Sequence, residues 1–195
     1  MKNALIAVND QVTKLFNSKS ANIVTGVPTG FTDLDHLTKG MHPGELIVVA
    51  GRPAMGKTSF ALNIGLNVAK KYNSTVAIFS LEMSREQLAM RLLSGESFVD
   101  SNKLMTGKLE MEEWSKLTMA ATSLSQTDIR CDDNPSITVA EMNAKLRRVE
   151  NLGLVIIDYL QLMTGSGYGK QSDNRVQIVG DISRSLKIMA KEPNV

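Results

Sequence analysis

Cysteine and histidine are scarce in this sequence. Its 195 residues include one cysteine, Cys131, and two histidines, His36 and His42. A single cysteine cannot form an internal disulfide bond, and a zinc or iron–sulfur centre needs several thiolate or imidazole ligands at short spacing. These absences exclude a disulfide-stapled scaffold and a Cys/His metal centre, and we interpret both histidines as surface residues.

Long apolar runs and a strong net charge are also missing. No run approaches the roughly 20 apolar residues that a membrane-spanning helix needs, and the N-terminal segment lacks the cleavage pattern of a signal peptide. The net charge of +2 argues neither for nor against a nucleic-acid partner. Hydrophobic residues make up 43% and charged residues 22%, as in ordinary globular domains. We therefore expect a cytoplasmic protein with one α/β core and no membrane partner.

The strongest pattern is the stretch LIVVAGRPAMGKT, from Leu46 to Thr58. Its apolar, β-branched beginning, Leu46–Ala50, predicts a buried strand. The next eight residues match G-x-x-x-x-G-K-[ST], and apolar residues at helical spacing follow them. Strand, glycine-rich loop and helix in that order are the context that the P-loop motif requires. The sequence therefore predicts a nucleoside-triphosphate site.

Each residue type in this loop has a chemical reason. Gly51 and Gly56 let the backbone curl so that successive N–H groups point at one anion, and the helix N-terminus adds its positive dipole end. Lys57 supplies a mobile charge for the β- and γ-phosphates, and the Thr58 hydroxyl can bind Mg²⁺. The predicted nucleotide-binding residues are Gly51, Arg52, Pro53, Ala54, Met55, Gly56, Lys57, Thr58 and Ser59.

Two further predicted strands end at carboxylates. The run Thr75–Ser80 leads to Glu82, and the run Leu154–Asp158 ends in an aspartate one hundred residues after Thr58. The carboxyl ends of parallel strands form the edge where open α/β sheets bind ligands. Asp158 is therefore predicted to hold Mg²⁺ together with Thr58. The residues alone leave Glu82 open between an exposed loop carboxylate and a member of the site.

The N-terminal segment has a different character. Leu5, Val8, Val12, Leu15 and Phe16 recur at helical spacing, which predicts an amphipathic helix over about residues 3–18. Such a helix has to bury its apolar stripe, either on its own domain or on a neighbouring subunit. We therefore divide the chain into a linker helix and tether, residues 1–25, and a core, residues 26–195.

The rest of the chain predicts helices joined by turns. Residues 84–123 are predicted to be mostly helical with breaks at two glycines, and Trp114 is assigned to a core. A glycine-rich segment, residues 165–173, either contacts a nucleic-acid backbone or is a surface loop. The other predicted features are breaks at Gly95 and Gly107, capping boxes at Ser84–Gln87 and Thr138–Glu141, a strand at Ile129–Cys131, and a helix over residues 174–191 closed by Pro193.

Several longer stretches carry a family resemblance. They include TGVPTGFTDLD at residues 25–35, GRPAMGKTSFALN at 51–63, FSLEMSREQLAMRLL at 79–93, DDNPSITVAEM at 132–142, IIDYLQLM at 156–163 and ISRSLKIMAKE at 182–192. With these stretches the chain resembles, nearly end to end, the C-terminal motor domain of the DnaB-type replicative helicases of bacteria and phages. The resemblance implies a RecA-like P-loop fold, with a mostly parallel central sheet flanked by helices.

The resemblance also implies a mechanism. Glu82 takes the position of the carboxylate that activates the attacking water, so Glu82 and Lys57 are the expected catalytic residues. In the family, ATP with Mg²⁺ binds between neighbours in a hexameric ring, and hydrolysis drives 5′–3′ movement along single-stranded DNA during replication. A primase and a helicase loader are further implied partners, and the linker helix packs on the adjacent subunit.

The family pattern continues beyond the position of Val195. The glutamine that senses the γ-phosphate, the DNA-gripping loop and the arginine finger are expected there. The resemblance therefore implies an incomplete motor domain that binds nucleotide but turns it over slowly by itself. Two alternatives stay open: another RecA-like ATPase of the recombination, repair or clock type, and a module that only binds nucleotide and helps to assemble a ring.

Overall fold

The computed structural model describes residues 24–158 and 175–192, Val195, and six positions of the N-terminal segment. These six positions are all helical: Leu5, Ile6, Asn9, Val12, Thr13 and Phe16. The predicted N-terminal helix is confirmed at these positions, whereas two residues of its apolar stripe, Val8 and Leu15, lie outside the described residues. The chain divides into two compact units, Met1–His42 and Pro43–Val195.

The first unit contains helix α1, Thr32–Thr38, and its turn is organised by the buried Asp35. The Asp35 carboxylate accepts hydrogen bonds from the N–H and the hydroxyl of Thr29, both at 2.7 Å, and from the N–H of Gly30 at 3.0 Å. A buried carboxylate is tolerated because these donors replace its water shell. The chain leaves this helix through Lys39 and Gly40, whose φ values are 62° and 88°.

The second unit alternates helices with parallel strands. The sheet has three strands in the order β2–β1–β3, and both pairings are parallel. Parallel neighbours need long crossover connections, which the helices between the strands provide. The elements are α2 (Lys57–Tyr72), β1 (Thr75–Ser80), α3 (Arg85–Ser97), α4 (Ser101–Thr106), α5 (Met111–Ser125), β2 (Ile129–Asp132), α6 (Val139–Leu146), β3 (Leu152–Asp158) and α7 (Arg175–Lys191).

Helices cover both faces of this sheet. On one face, alternate residues of the fully buried strand β1 join an apolar cluster with α6 and α7; its members are Ala77, Phe79, Leu81, Ile137, Met142, Leu146, Ile182, Leu186 and Met189. On the other face, α2 approaches so closely that a Cβ atom on Gly65 would lie 2.9 Å from Cδ1 of Ile156 and 3.3 Å from Cγ1 of Val76. This close packing fixes the height of α2, and therefore of its N-terminus, above β1 and β3.

The close approach at Gly65 predicts a position-specific loss of stability. Gly65→Val is expected to destabilise the fold by about 1–3 kcal/mol more than Gly95→Val, because the larger side chain would overpack the α2–sheet contact. Gly95 is the matched control, since it also lies within a helix but has no atom within 4 Å of the added Cβ. Urea unfolding of both variants measures the difference. Equal free energies of unfolding would show that α2 does not need glycine to reach the sheet.

The strand predicted at Leu46–Ala50 is a wrong assignment for this structure. These residues have no ladder partner in the described part of the chain, and Ile47, Val48 and Val49 are 55%, 70% and 48% exposed. Only Leu46 packs against the core cluster. An apolar run becomes a sheet strand only where a neighbouring strand offers free N–H and C=O groups along its edge, and these residues do not make that ladder here.

Two predictions around α3 and α5 are also corrected. Gly95 does not break a helix, because α3 continues through it to Ser97. Trp114 is not a core residue, since its surface is 57% exposed. The inward stripe of α5 runs through Leu117 and Ala120 instead, and Trp114 lies about 60° from that stripe around a helix of 3.6 residues per turn.

Most other local predictions are confirmed. Gly107 ends α4 in a left-handed conformation, with a φ of 68°. Both predicted capping boxes are present, at the start of α3 and at the start of α6. β2 and β3 contain the strands predicted for them, and α7 begins within one residue of its predicted start. The segment 165–173 and Pro193 lie outside the described residues. No helix in the described ranges is long and apolar enough to span a membrane.

Candidate nucleotide-binding site

The glycine-rich loop turns directly into the N-terminus of α2. Gly56 is the N-cap residue with a φ of 82°, and Ala54 also has a positive φ, 63°. An L-residue in the left-handed region costs about 1–2 kcal/mol, so the loop holds a conformation that the chain does not prefer. The first N–H groups of a helix have no partner within it. Because residues 51–56 are all exposed, this end of α2 is open to an anion.

Lys57 is folded back over the same loop. Its ammonium donates hydrogen bonds to the carbonyl oxygens of Gly51 at 3.1 Å and Arg52 at 3.2 Å. The positive charge is therefore placed at the loop before any ligand arrives. The other predicted loop residues, Pro53 and Met55, are exposed beside it, and Ser59 is exposed on the first turn of α2.

Thr58 and Asp158 meet although they are 100 residues apart in the chain. The Thr58 hydroxyl donates a hydrogen bond to Oδ2 of Asp158 over 2.7 Å. Asp158 is the last residue of β3 and both side chains are half-buried. The sequence predicted this juxtaposition, because parallel strands deliver their last residues to the same edge of the sheet as the P-loop. Two oxygen ligands at this edge suit a hard divalent cation.

Glu82 lies on the turn that follows β1. The last residue of β1, Ser80, is directly paired with Asp158 in the parallel register, and the Leu81 N–H donates to the Asp158 carbonyl oxygen over 2.8 Å. This turn is therefore attached to the end of β3. The Glu82 side chain is exposed, and its turn lies at the edge of the sheet where β3 ends in Asp158.

Two residues beside Glu82 were missed as possible members of the site. The Ser80 hydroxyl donates to the Met83 carbonyl oxygen (2.7 Å) and accepts from the Met83 N–H (3.1 Å). Asp133 accepts from the Arg85 N–H (3.2 Å) and lies 3.0 Å from Nε of Arg85. The hydrogen bond from the Arg85 N–H is the main cause that lowers the pKa of Asp133. A serine closing an apolar strand was a signal for the first contact, but no sequence pattern indicates the second.

The site is an open surface. A cavity of about 590 Å³ does exist, but it is lined by residues such as Leu146, Arg147 and Leu152 at the amino end of β3, opposite the end that carries Asp158. None of its lining residues belongs to the glycine-rich loop. A ligand on the exposed loop would therefore be contacted on one side only by the described residues of this chain.

Comparisons with known proteins agree on one family. A family model described as "DnaB-like helicase C terminal domain" matches residues 26–195. The chain is 51% identical to the replicative DNA helicase DnaB of Geobacillus stearothermophilus and 50% identical to the replicative DNA helicase DnaC of Bacillus subtilis (strain 168). All of this chain is covered in both matches, but only 43% of each relative.

Solved structures show the same likeness. A structure described as "ATPase Domain of G40P" matches with a TM-score of 0.88 and 32% identity, covering all of this chain and 68% of that one. A DnaB-like replicative helicase, described with its interactions with primase, matches with a TM-score of 0.84 and 32% identity over 46% of its length. The RadB recombinase, at 23% identity and a TM-score of 0.50, shares the fold alone. The predicted RecA-like α/β fold is confirmed.

Proposed function

Because the chain belongs to the family of DnaB-like helicase C-terminal domains, we propose that it is the ATP-driven motor of a cytoplasmic replicative DNA helicase. The chain spans less than half the length of its curated relatives. We propose that the whole protein moves 5′–3′ along single-stranded DNA and unwinds the duplex.

The contact between Thr58 and Asp158 carries this proposal. A threonine hydroxyl that donates its proton to a carboxylate keeps both lone pairs of its oxygen for another partner. Thr58 and Asp158 are thus the residues that would hold Mg²⁺, which neutralises charge on the phosphate oxygens when it is bound. The contact lies at the N-terminus of α2, where the exposed loop residues 51–56 would hold the triphosphate.

The remaining roles follow from placement at this edge. Lys57 exchanges its hydrogen bonds to the carbonyl oxygens of Gly51 and Arg52 for bonds to the β- and γ-phosphates. Such an exchange is favourable because hydrogen bonds between two ionised groups are stronger than those to neutral carbonyls. Glu82, on the turn after β1, is the group that takes the proton of the attacking water. These assignments divide the chemistry into phosphate binding, metal binding and water activation.

The proposal predicts binding of ATP with slow turnover by this chain. Its ATP affinity is measured by titration with and without Mg²⁺, and its turnover with and without single-stranded DNA. We expect binding that depends on Mg²⁺ and turnover far slower than the roughly 1–100 s⁻¹ typical of kinases, because the described residues would contact a nucleotide on this open loop from one side only. Fast, DNA-stimulated hydrolysis would contradict the slow-turnover part. Absence of nucleotide binding would contradict the whole proposal.

The two alternatives predict different results. A recombination-type ATPase shares the fold, but the likeness to RadB is weaker than that to the helicase domains. Strand exchange without unwinding by the whole protein would favour it. A module that only binds nucleotide and assembles a ring would bind ATP and would show no hydrolysis even over many hours with the chain in excess.

We also propose that the protein assembles as a hexameric ring, with the N-terminal helix on a neighbouring subunit. Three described residues of this helix, Leu5, Val12 and Phe16, are 65%, 56% and 88% exposed. An exposed apolar stripe of this kind is typical of a surface that is covered in an assembly. The open phosphate loop fits the same picture, because a neighbour could close it. A primase and a helicase loader are proposed partners of the whole ring.

The ring proposal predicts that Phe16→Asp shifts the protein toward monomers. An aspartate at a buried apolar contact would be desolvated without a partner, which weakens the association strongly. Sedimentation velocity at several protein concentrations measures the shift, and Leu37→Asp is the control, because Leu37 is 84% exposed outside the N-terminal helix. Identical sedimentation of both variants and the unchanged chain would contradict the role of the N-terminal helix.

A further inference from the structure

Two side chains hold the turn that carries Glu82: Ser80 at its start, and Asp133 from the end of another strand. We propose that Ser80 and Asp133 are positioning residues that fix Glu82 at the edge of the sheet through this turn. The inference rests on the proposed function, because it takes Glu82 as the group that activates water. It adds two residues, from two different strand ends, whose task is to hold that group in place.

Ser80 forms the first contact. It is 1% exposed and ends β1, where it pairs in register with Asp158. Its hydroxyl binds both polar backbone groups of Met83, the residue that follows Glu82. One buried side chain thus closes the turn over residues 80–83. Because the adjacent Leu81 N–H is bonded to the Asp158 carbonyl oxygen, the closed turn is also fixed to the proposed metal ligand.

Asp133 forms the second contact from the end of β2. Its predecessor, Asp132, is paired with Phe79 of β1, so the carboxylate lies beside the turn. One carboxylate oxygen accepts from the Arg85 N–H and the other faces Nε of Arg85. Arg85 begins α3, only three residues after Glu82. Asp133 therefore fixes the start of this helix, and the hydrogen bond from the Arg85 N–H lowers the pKa of its carboxyl.

The two contacts bracket a residue that lies outside the regular elements. Glu82 lies between β1 and α3, is exposed, and depends on its neighbours for its position. The chemistry is sensitive to that position, because a displacement of about 1 Å can cost about 100-fold in rate. A residue that holds a catalytic side chain in place without touching the substrate is expected to change the rate of hydrolysis and to leave ligand affinity unchanged.

The test uses two variants with matched controls. Ser80→Ala and Asp133→Asn are each expected to slow single-turnover hydrolysis of radiolabelled ATP by about 10- to 100-fold. Their affinity for a non-hydrolysable ATP analogue should stay within about twofold, since only the transition state is affected. Ser97→Ala is the control for Ser80, because the buried Ser97 hydroxyl also donates to one backbone carbonyl and accepts from one N–H. Glu112→Gln is the control for Asp133, because Glu112 is a surface carboxylate paired with Lys116.

A Glu82→Gln background separates positioning from a general structural effect. If Ser80 and Asp133 act through Glu82, both substitutions should change the residual rate of Glu82→Gln by less than about twofold. Equal losses in both backgrounds, or rates at the level of the controls, would overturn the inference while leaving the proposed function intact. Full turnover by Glu82→Gln itself would overturn the role of Glu82 and this inference with it.

Amide hydrogen exchange gives a measurement that does not depend on turnover. The Met83 N–H should exchange faster in Ser80→Ala and the Arg85 N–H faster in Asp133→Ala, because each substitution removes the acceptor seen in the structure. The exchange of both amides should be unchanged in Ser97→Ala and Glu112→Gln. Unchanged protection of Met83 and Arg85 in their own variants would overturn the inference, whatever the rate of hydrolysis.

Discussion

Lys57→Ala is expected to weaken ATP binding by about 10- to 100-fold, since a hydrogen bond to a charged group contributes about 1.5–3 kcal/mol. The structure gives the reason, because the ammonium already lies over the phosphate loop through the carbonyl oxygens of Gly51 and Arg52. Turnover is expected to fall further, by about 100-fold or more, because in the proposed role the lysine also stabilises charge that develops in the transition state. Titration and single-turnover hydrolysis measure the two effects separately.

The control for this variant lies on the same helix. Lys71→Ala removes an exposed lysine from the last turn of α2, far from the loop, and should leave affinity and turnover unchanged. Thermal unfolding of both variants should shift little, because surface substitutions of this kind usually change stability by less than about 0.5 kcal/mol. Equal ATP affinity in Lys57→Ala and Lys71→Ala would refute a phosphate-binding role for Lys57.

The parts of the site that were predictable are those with short-range rules. The loop from Gly51 to Thr58 follows a fixed spacing. An apolar run predicts a buried parallel strand, so the end of β3 at Asp158 could be located. Given those two elements, the geometry of parallel strands brings Thr58 and Asp158 to one edge. The 2.7 Å hydrogen bond between them is therefore a consequence that the sequence already contained.

The parts that were missed depend on pairings between distant residues. The contact between Arg85 and Asp133 joins positions 48 residues apart, and no local spacing encodes it. The strand predicted at Leu46–Ala50 was wrong because it, too, depends on a pairing with a distant residue. Its apolar pattern indicates that burial is favourable, but it does not identify the strand that would supply hydrogen bonds. The prediction for Trp114 was wrong for a different reason. The sequence shows the helical period clearly, but the packing partner decides which face of the helix points inward.

The outcome for Gly95 shows how weak a single-residue rule can be. A glycine within a helix costs about 1 kcal/mol relative to alanine, which the helix-forming residues around it offset. Gly107, in contrast, ends a helix because the chain needs a left-handed residue there. The two glycines differ in what the fold requires of the backbone, and the sequence around each one does not state that requirement.

Glu82→Gln is expected to lower single-turnover hydrolysis by about 100- to 10,000-fold, the range for loss of a general base. The amide keeps the shape of the side chain and removes its capacity to accept a proton. Because Glu82 is exposed on the turn after β1, the substitution should leave the fold unchanged. ATP affinity should also be unchanged within about twofold, because the proposed phosphate contacts come from the loop and Lys57 and not from Glu82. The variant is therefore expected to trap the ATP-bound state.

The contrast with Lys57→Ala makes this prediction specific. Removal of the phosphate-binding lysine should affect both affinity and rate, whereas removal of the base should affect the rate alone. Glu86→Gln provides the control, because it makes the same chemical change four residues further on, at another exposed carboxylate in the first turn of α3. If Glu82→Gln and Glu86→Gln hydrolyse ATP equally fast, the carboxylate at the end of β1 is not the base. The water would then have to be activated by another group.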